Sequence, residues 1–504
     1  MKMIKSMQDK WGKMAWQWRM AVVIIPIFVL SAFYLYGDMI VTAASSMNVW
    51  TTLFKGKLHE FYTYRYPAVE GYEKLANGKG GGVYDFCIYF IYSLYLLPGW
   101  IWEKVTGLSL FSQWATRAYV KEMASVFVIF SAYFVYKIAR ECDLEKEQAR
   151  WAPLIYLSSA LLYYSEILTG AYDIISVAFS LLGIYCYLKK RRAGFIMAFA
   201  VAMACKMFAL WIFIPLLLLE EKRIYRVILD MLAGISVIVV PRVGFSLATR
   251  LLGNPAVEAG KKVNNVLYGT EIAHSNLINA GIFPQEEMRT AIIRIGGLPL
   301  VIVGALLIWL GCYFYKEKLA PRMIVYLCAV VMTLFVVTCK VHPYWVTLLV
   351  PYIALLISFH RDRMWQNCLL EFLFTVGYMG RMYLFWPGCG SAELMYNMIH
   401  SDAMKNYVWP EGEAQWEILG PYRILRFLSN RTGITMENMA AMFGAFFLAG
   451  IIFFLYINFP MRESRLIHKS DEKAFKMVFW FRYAVAICVG LFPIMGYFMW
   501  KLMY

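Results

Sequence analysis

Two stretches set side chains that could do chemistry into otherwise apolar surroundings. In VVTCKVHPYWVTLLVP (336–351), Lys340 and His342 stand between two apolar runs, with Pro343 directly after the histidine. In TGAYDIISVAF, Asp173 opens an apolar run, and Lys206 lies at the middle of the run beyond it. Asp38, in YLYGDM, follows the first apolar run, and Arg381 lies near the end of a later one. A carboxylate beside a hydroxyl can take its proton and so raise its nucleophilicity. Cationic donors can hold a phosphate and stabilise it as charge grows on departure. The set therefore suits a reaction in which a hydroxyl attacks and a phosphate leaves. Glu166 and Asp85 are further acids for shaping such a site or supplying a second carboxylate.

Each residue also admits a plainer reading. Asp38 reads equally as a solvated carboxylate or a local cap, although Gly37 would let the backbone turn it toward a cavity. Asp173 reads as a helix N-cap, stabilised by free N–H groups and the helix dipole. Lys340 and His342 could snorkel to lipid headgroups. Against snorkelling, Pro343 restricts the residue before it and makes a fixed corner, which a snorkelling lysine does not require. Glu271 and His274 in YGTEIAHSN read as loop-structuring residues.

The elements that position these residues follow from composition. Of 504 residues, 61% are hydrophobic, in runs that approach the ~20 residues needed to cross a bilayer. The expected fold is all-α: a polytopic transmembrane bundle with about 11–13 membrane segments and a long first extracytoplasmic loop bearing juxtamembrane helices. The formal net charge of +16 is assigned to short cytoplasmic loops rather than to nucleic-acid binding. Ten scattered cysteines read as small core residues, not a disulfide framework. The basic stretch 1–19, rich in tryptophan, reads as a cytoplasmic start to an uncleaved anchor.

Apolar segments are expected near 20–36, 86–102, 120–137, 152–168, 173–188, 194–219, 227–250, 292–314, 323–339, 344–359, 365–386, 436–459 and 477–500. KKRR (189–192), EEKRIYR (220–226), KEK (316–318), HRDR (360–363) and RESR (462–465) are expected inside. The stretch 37–118 must then begin and end outside, so 86–102 lies along the outer face, with Trp100 and Trp102 at the interface. The run 194–219 has basic residues at both ends and Lys206 between them. It is expected to be two short helices meeting toward the outer side, with Lys206 facing a polar cavity. The domains are thus a cytoplasmic N-terminus (1–19), a membrane module 20–220 with outer loop 37–118, a second module 221–386 with outer loop 251–291 and the corner 339–344, an outer loop 387–435, and C-terminal membrane segments 436–504. GKGGGVYD (78–85) lacks a following Lys-Ser/Thr and reads as a flexible turn, not a phosphate loop.

Acids and cations thus share one face of the membrane, beside large loops and many tyrosines and tryptophans. Sugar transfer from a lipid phosphate suits that combination: a base for the acceptor hydroxyl, donors for the departing phosphate, aromatic walls for sugar rings and a groove for the lipid. A lipid-linked oligosaccharide or polysaccharide flippase is the alternative, although it should show inverted repeats and a polar site near the midplane.

The chain resembles the GT-C superfamily of polytopic glycosyltransferases that use polyprenyl-phosphate sugars, in particular bacterial mannosyltransferase-like members. The acid after the first helix in GDM carries the resemblance, with the long outer loop, the block TGAYDIISVAFSLLGIYCYLKKRRAGFIMAFAVAMACKMFALWIFIPLLLL (169–219) and the K-x-H-P corner of CKVHPYW. It is clearest over 20–220 and 320–360. It implies an inverting hexosyl transfer, mannose-like, to a glycan or glycolipid acceptor at the outer face of a bacterial plasma membrane, in the cell envelope. By resemblance Asp38 is the base, Lys340 and His342 bind donor phosphate, and Asp173 shapes the site; on their own placement Lys206 and Arg381 are further phosphate donors, and Asp85 and Glu166 shape the site or add a second acid. No acid follows Asp38 over residues 39–54, and Ala171 stands where the block usually has glutamine. The paired acidic motif that would hold a divalent metal is therefore missing from that position; a divalent metal stays open without that support, and no cofactor is firmly implied.

Overall fold

The computed structural model describes residues 15–67, 84–253, 294–295, 298–339, 342–385, 421–460 and 470–503. The expected loop 251–291 lies outside them except at its first three residues, as do Lys340, Glu271, His274 and 387–420. The described chain is helical apart from a minimal antiparallel pairing of Arg294–Ile295 with Leu298–Pro299. Among the described residues, six helices are long and apolar enough to cross a membrane, and shorter apolar helices of 10–17 residues accompany them. The protein is a multi-pass helical bundle.

Helix α1 (Trp16–Ser31) is followed by α2 (Gly37–Phe54), which occupies part of the expected first loop. A helix here accords with the expected outer loop bearing juxtamembrane helices, although only 86–102 was assigned as one. Thr42, Ser45, Ser46, Asn48 and Thr52 are nonetheless buried, and the Ser46 and Thr52 hydroxyls donate back to the carbonyls of Thr42 and Asn48. Returning a hydroxyl to the helix's own carbonyl lets such a polar residue pack inside. α3 (Phe86–Thr106) runs beside α2. Trp50 Nε1 donates to Ser93 O at 2.7 Å, Trp100 Nε1 to Thr51 Oγ1 at 3.1 Å, and Phe54 stacks on Trp100. α4 (Trp114–Glu141) begins six residues before the expected 120–137 segment.

The expected single segment 152–168 is broken. Helix α5 (Trp151–Leu157) gives way to a short turn, Ala160–Leu162, and then to a π-helical stretch, Tyr163–Thr169. A π stretch widens the turn and often marks a functional position. Next come α6 (Asp173–Leu188) and α7 (Arg192–Cys205). Lys206 is extended, with φ −159°, so the helix cannot continue, and α8 (Leu210–Glu220) returns the chain. Two short arms with Lys206 at the bend match the expectation for 194–219. Arg192 Nη1 meets Glu221 Oε2 at 3.2 Å, closing the arms at the far end.

α9 (Ile224–Leu252) leaves most of its apolar side chains uncovered by protein, including Leu232, Val240, Val243 and Leu247. On a spanning helix lipid covers such a surface. α10 (Leu300–Phe314), α11 (Pro321–Thr338) and α12 (Val350–Phe359) follow, with the corner and a 3-10 turn, Pro343–Leu348, between the last two. α13 (Met364–Phe385) packs closely on α15 (Met436–Ile457). Gly377 is needed there, since a Cβ would meet the Phe447 backbone. Small residues let membrane helices approach this way. A further helix, α14 (Pro421–Thr432), falls inside the expected outer loop 387–435, and α16 (Ser470–Met503) ends the described chain.

Candidate functional site

One end of the bundle holds Asp38, Asp173, Lys206 and His342. The opposite end carries surface ion pairs: Lys189 with Glu141 at 2.8 Å, and Arg192 with Glu221 and Asp230.

Asp38 sits in the first turn of α2 rather than at the end of α1. Five residues separate the two helices, so the carboxylate gains the positive end of the α2 dipole. Tyr344 Oη donates to Asp38 Oδ2 at 3.4 Å, a long contact, and Tyr36 lies against the Tyr344 ring.

Tyr344 belongs to the corner. His342 is extended (φ −66°, ψ 150°), the conformation imposed on a residue before proline, and Pro343 starts the 3-10 turn. The imidazole stacks on Tyr344, with interplanar angle 13°, and meets Trp345 edge-on at 4.9 Å. Tyr378 Oη, on α13, reaches the carbonyls of His342 and Pro343 at 3.2 and 3.1 Å. The corner is thus pinned from a second helix, and its consecutive residues Tyr344 and Trp345 reach in two directions.

Trp345 reaches Lys206. The ammonium lies over the rings of Tyr84, Tyr172, Phe208 and Trp345 at 5.3, 5.1, 5.6 and 5.6 Å. Such placements over aromatic faces are favourable, more so when water is excluded. Nζ also lies 3.2 Å from Asp173 Oδ1. This is charge pairing rather than an aligned hydrogen bond, since among the described residues neither Asp173 oxygen meets an aligned donor. Asp173 is fully buried and is the first residue of α6, not its cap. Ser176 Oγ donates to Ala202 O at 2.8 Å and fixes the Lys206 bend against α6.

Tyr84 joins the two halves. Burial holds its phenol above the ordinary tyrosine range; Lys206 pulls the other way, while Asp38 and Asp173 add to the rise. One phenol therefore senses both acids and the cation. The site is a continuous line: Asp38, Tyr344, His342, Trp345, Lys206, Asp173.

The remaining expected residues lie elsewhere. Asp85 makes a two-pronged ion pair with Arg242 of α9, at 2.5 and 3.0 Å, tying α3 to that helix. Arg381 packs beside Gly444 of α15 and over the Phe385 ring. Glu166 does not face an open turn: it is buried in the π stretch, within electrostatic range of Lys121 and Asp173. Sequence reasoning missed Tyr344, Trp345 and the other rings around Lys206. The aromatic spelling of HPYW was visible, but its partners Asp38 and Lys206 lie far away in the chain.

No family model and no curated protein matches the sequence. Among solved structures, the crystal structure of ArnT from Cupriavidus metallidurans bound to undecaprenyl phosphate is similar, with TM-score 0.46 at 12% identity over 95% of this chain and 77% of that one. Arabinosyltransferase EmbB from Mycobacterium smegmatis is similar with TM-score 0.40 at 12% identity, over 95% of this chain and 42% of that one. The likeness concerns the path of the chain, and no residue's role passes from those proteins to this one.

Proposed function

We propose that this chain is a membrane glycosyltransferase of the GT-C type it resembles, moving a mannose-like sugar from a polyprenyl-phosphate donor to an extracytoplasmic glycan or glycolipid acceptor. The observation that supports this reading best is the corner. Tyr344 touches the acid at the mouth of the site, and the next residue, Trp345, touches the caged cation. In this reading base and phosphate donor therefore belong to one site.

Asp38 takes the proton of the acceptor hydroxyl, and the oxygen attacks the sugar's anomeric carbon. The bond from that carbon to the donor phosphate breaks, and its electron pair leaves on the phosphate. Lys206 and the His342 corner, which carries Lys340, stabilise the growing charge. A single displacement inverts the anomeric centre. The Tyr84, Tyr172 and Trp345 rings wall the sugar. Asp173 holds Lys206 in place when no phosphate is bound. In this reading the Asp38 end faces outward and the basic loops face the cytoplasm of a bacterial cell.

The test is incubation of purified protein with a panel of polyprenyl-phosphate sugars and glycan or glycolipid acceptors, followed by mass spectrometry. One donor should be consumed, releasing polyprenyl phosphate and adding one sugar to the acceptor. If no donor is consumed, while a lipid-linked glycan crosses proteoliposomes only when this protein is present, the chain is a transporter instead.

A further inference from the structure

Lys121 lies on α4 with no exposed surface, and neither end of the bundle uses it. A lysine buried within a membrane helix is costly unless it is paired and hydrogen-bonded. Its Nζ lies 3.3 Å from the carbonyls of both Glu166 and Leu168. Those are carbonyls of the π stretch, whose end leaves backbone acceptors without helical partners. The Glu166 and Glu122 carboxyl groups lie within electrostatic range of its amine.

The turn is built around this side chain. Gly170 takes φ +61°, and its amide donates to Ser165 O at 3.2 Å. A Cβ at Gly170 would overlap Lys121 Nζ, so glycine is required twice, for the left-handed backbone and for the ammonium. Thr169 Oγ1 closes the same stretch onto Tyr164 O. Immediately beyond the turn come Tyr172 and Asp173, which supply one ring and the carboxylate held against Lys206.

We infer that Lys121 is a positioning residue: by donating to Glu166 O and Leu168 O beneath Gly170, it sets the turn that delivers Tyr172 and Asp173 to Lys206. The inference rests on the donor-phosphate reading of Lys206. Lys121 touches no substrate; it acts through the turn. Lys121→Met removes the donor and the charge at nearly constant volume and leaves two buried carbonyls unmet. Lys121→Arg keeps both donor and charge.

The test pairs amide hydrogen exchange across 163–175 with binding of a polyprenyl phosphate to the full-length purified protein. In Lys121→Met, exchange in that stretch should rise by at least roughly tenfold while α13 and α15 keep the parent rate, and lipid phosphate should bind about tenfold more weakly. Lys121→Arg should recover much of both. Unchanged exchange in 163–175 overturns the inference. So does faster exchange there with lipid binding equal to the parent's. Should Lys121→Met fail to fold, Lys121→Gln takes its place, since its shorter side chain cannot reach both carbonyls: it must speed exchange over the same residues, and parental exchange sinks the idea. If the parent itself binds no polyprenyl phosphate, the donor reading fails, and exchange alone decides whether Lys121 sets the turn.

Discussion

At the level of single residues, Asp38 and Lys206 have separable tasks. Asp38→Asn keeps the shape and the Tyr344 contact but cannot take a proton. Turnover should fall by about 10²–10⁴-fold, with donor affinity close to the parent's. Parental turnover would remove Asp38 from the role of base. Lys206→Met keeps length and loses charge, which should weaken polyprenyl-phosphate binding by roughly ten- to a hundredfold. It also strands the buried Asp173 carboxylate, so thermal stability should be measured alongside. Asp173→Asn in the Lys206→Met background should restore stability without restoring binding. These residues stood out in the sequence because charge within apolar runs is conspicuous. Lys121 was no less charged, yet it fell at the expected start of the 120–137 segment. It was not singled out there, whereas α4 begins six residues earlier and carries it inside.

Among the elements, a buried polar tie lies away from the site. Arg482 of α16 meets Glu371 of α13 through two contacts, at 2.6 and 2.7 Å, and also donates to Ile155 O and Ser158 Oγ at the break after α5. Ser159 Oγ adds 3.0 Å to the same carboxylate. Every partner is buried. Removing one member leaves an unpaired charge, so Glu371→Ala should cost about 3–5 kcal/mol, and the double change Glu371→Leu/Arg482→Met much less. Thermal unfolding of single and double variants in one detergent decides it; a double variant as unstable as the singles would show that the pair is not the unit. This tie joins residues hundreds of positions apart, and local pattern does not report such partners. The Lys206 bend, by contrast, was legible. Two basic ends around an apolar run too long for one arm and too short for two full spans leave few other paths. Helices were expected within the first outer loop, but α2 itself was not placed: the hydroxyls of Ser46, Thr51 and Thr52 turn back onto its own carbonyls, so a polar stretch packs as helix.

For the molecule as a whole, the two ends differ in chemistry, and each yields a test. His360 follows α12 at the end away from the site. Its Nδ1 lies 3.2 Å from Leu356 O, and burial pulls its pKa below the ordinary 6.5, with Arg363 and Arg322 acting the same way and Asp362 opposing. The folded state therefore binds fewer protons at His360 than the unfolded chain. That contribution is complete above the unfolded value of 6.5 and is lost as pH falls below it. Melting temperature should drop between pH 7.5 and 5.5 in the parent and drop less in His360→Gln; equal slopes would refute the assignment. Glu221 acts in the same direction but in a lower window, since backbone and arginine donors hold its carboxyl below 4.5.

Orientation is the last question at this scale, because the proposed chemistry needs the Asp38 end to face outward. Hydrophobic runs and the basic loops argue for that sidedness through charge alone. Ala115, exposed at the start of α4, and Lys190, exposed between α6 and α7, mark opposite ends of the bundle. A membrane-impermeant thiol reagent applied to intact cells should label Ala115→Cys and spare Lys190→Cys until the membrane is opened. Most native cysteines among the described residues are buried, so a parent control corrects for Cys87 and Cys488. The reverse pattern would put Asp38 and Lys206 on the cytoplasmic side and exclude an extracytoplasmic acceptor. Labelling of both positions from outside would refute α4 and α6 as a pair of spanning helices, and the site would then have to be rebuilt around a different threading.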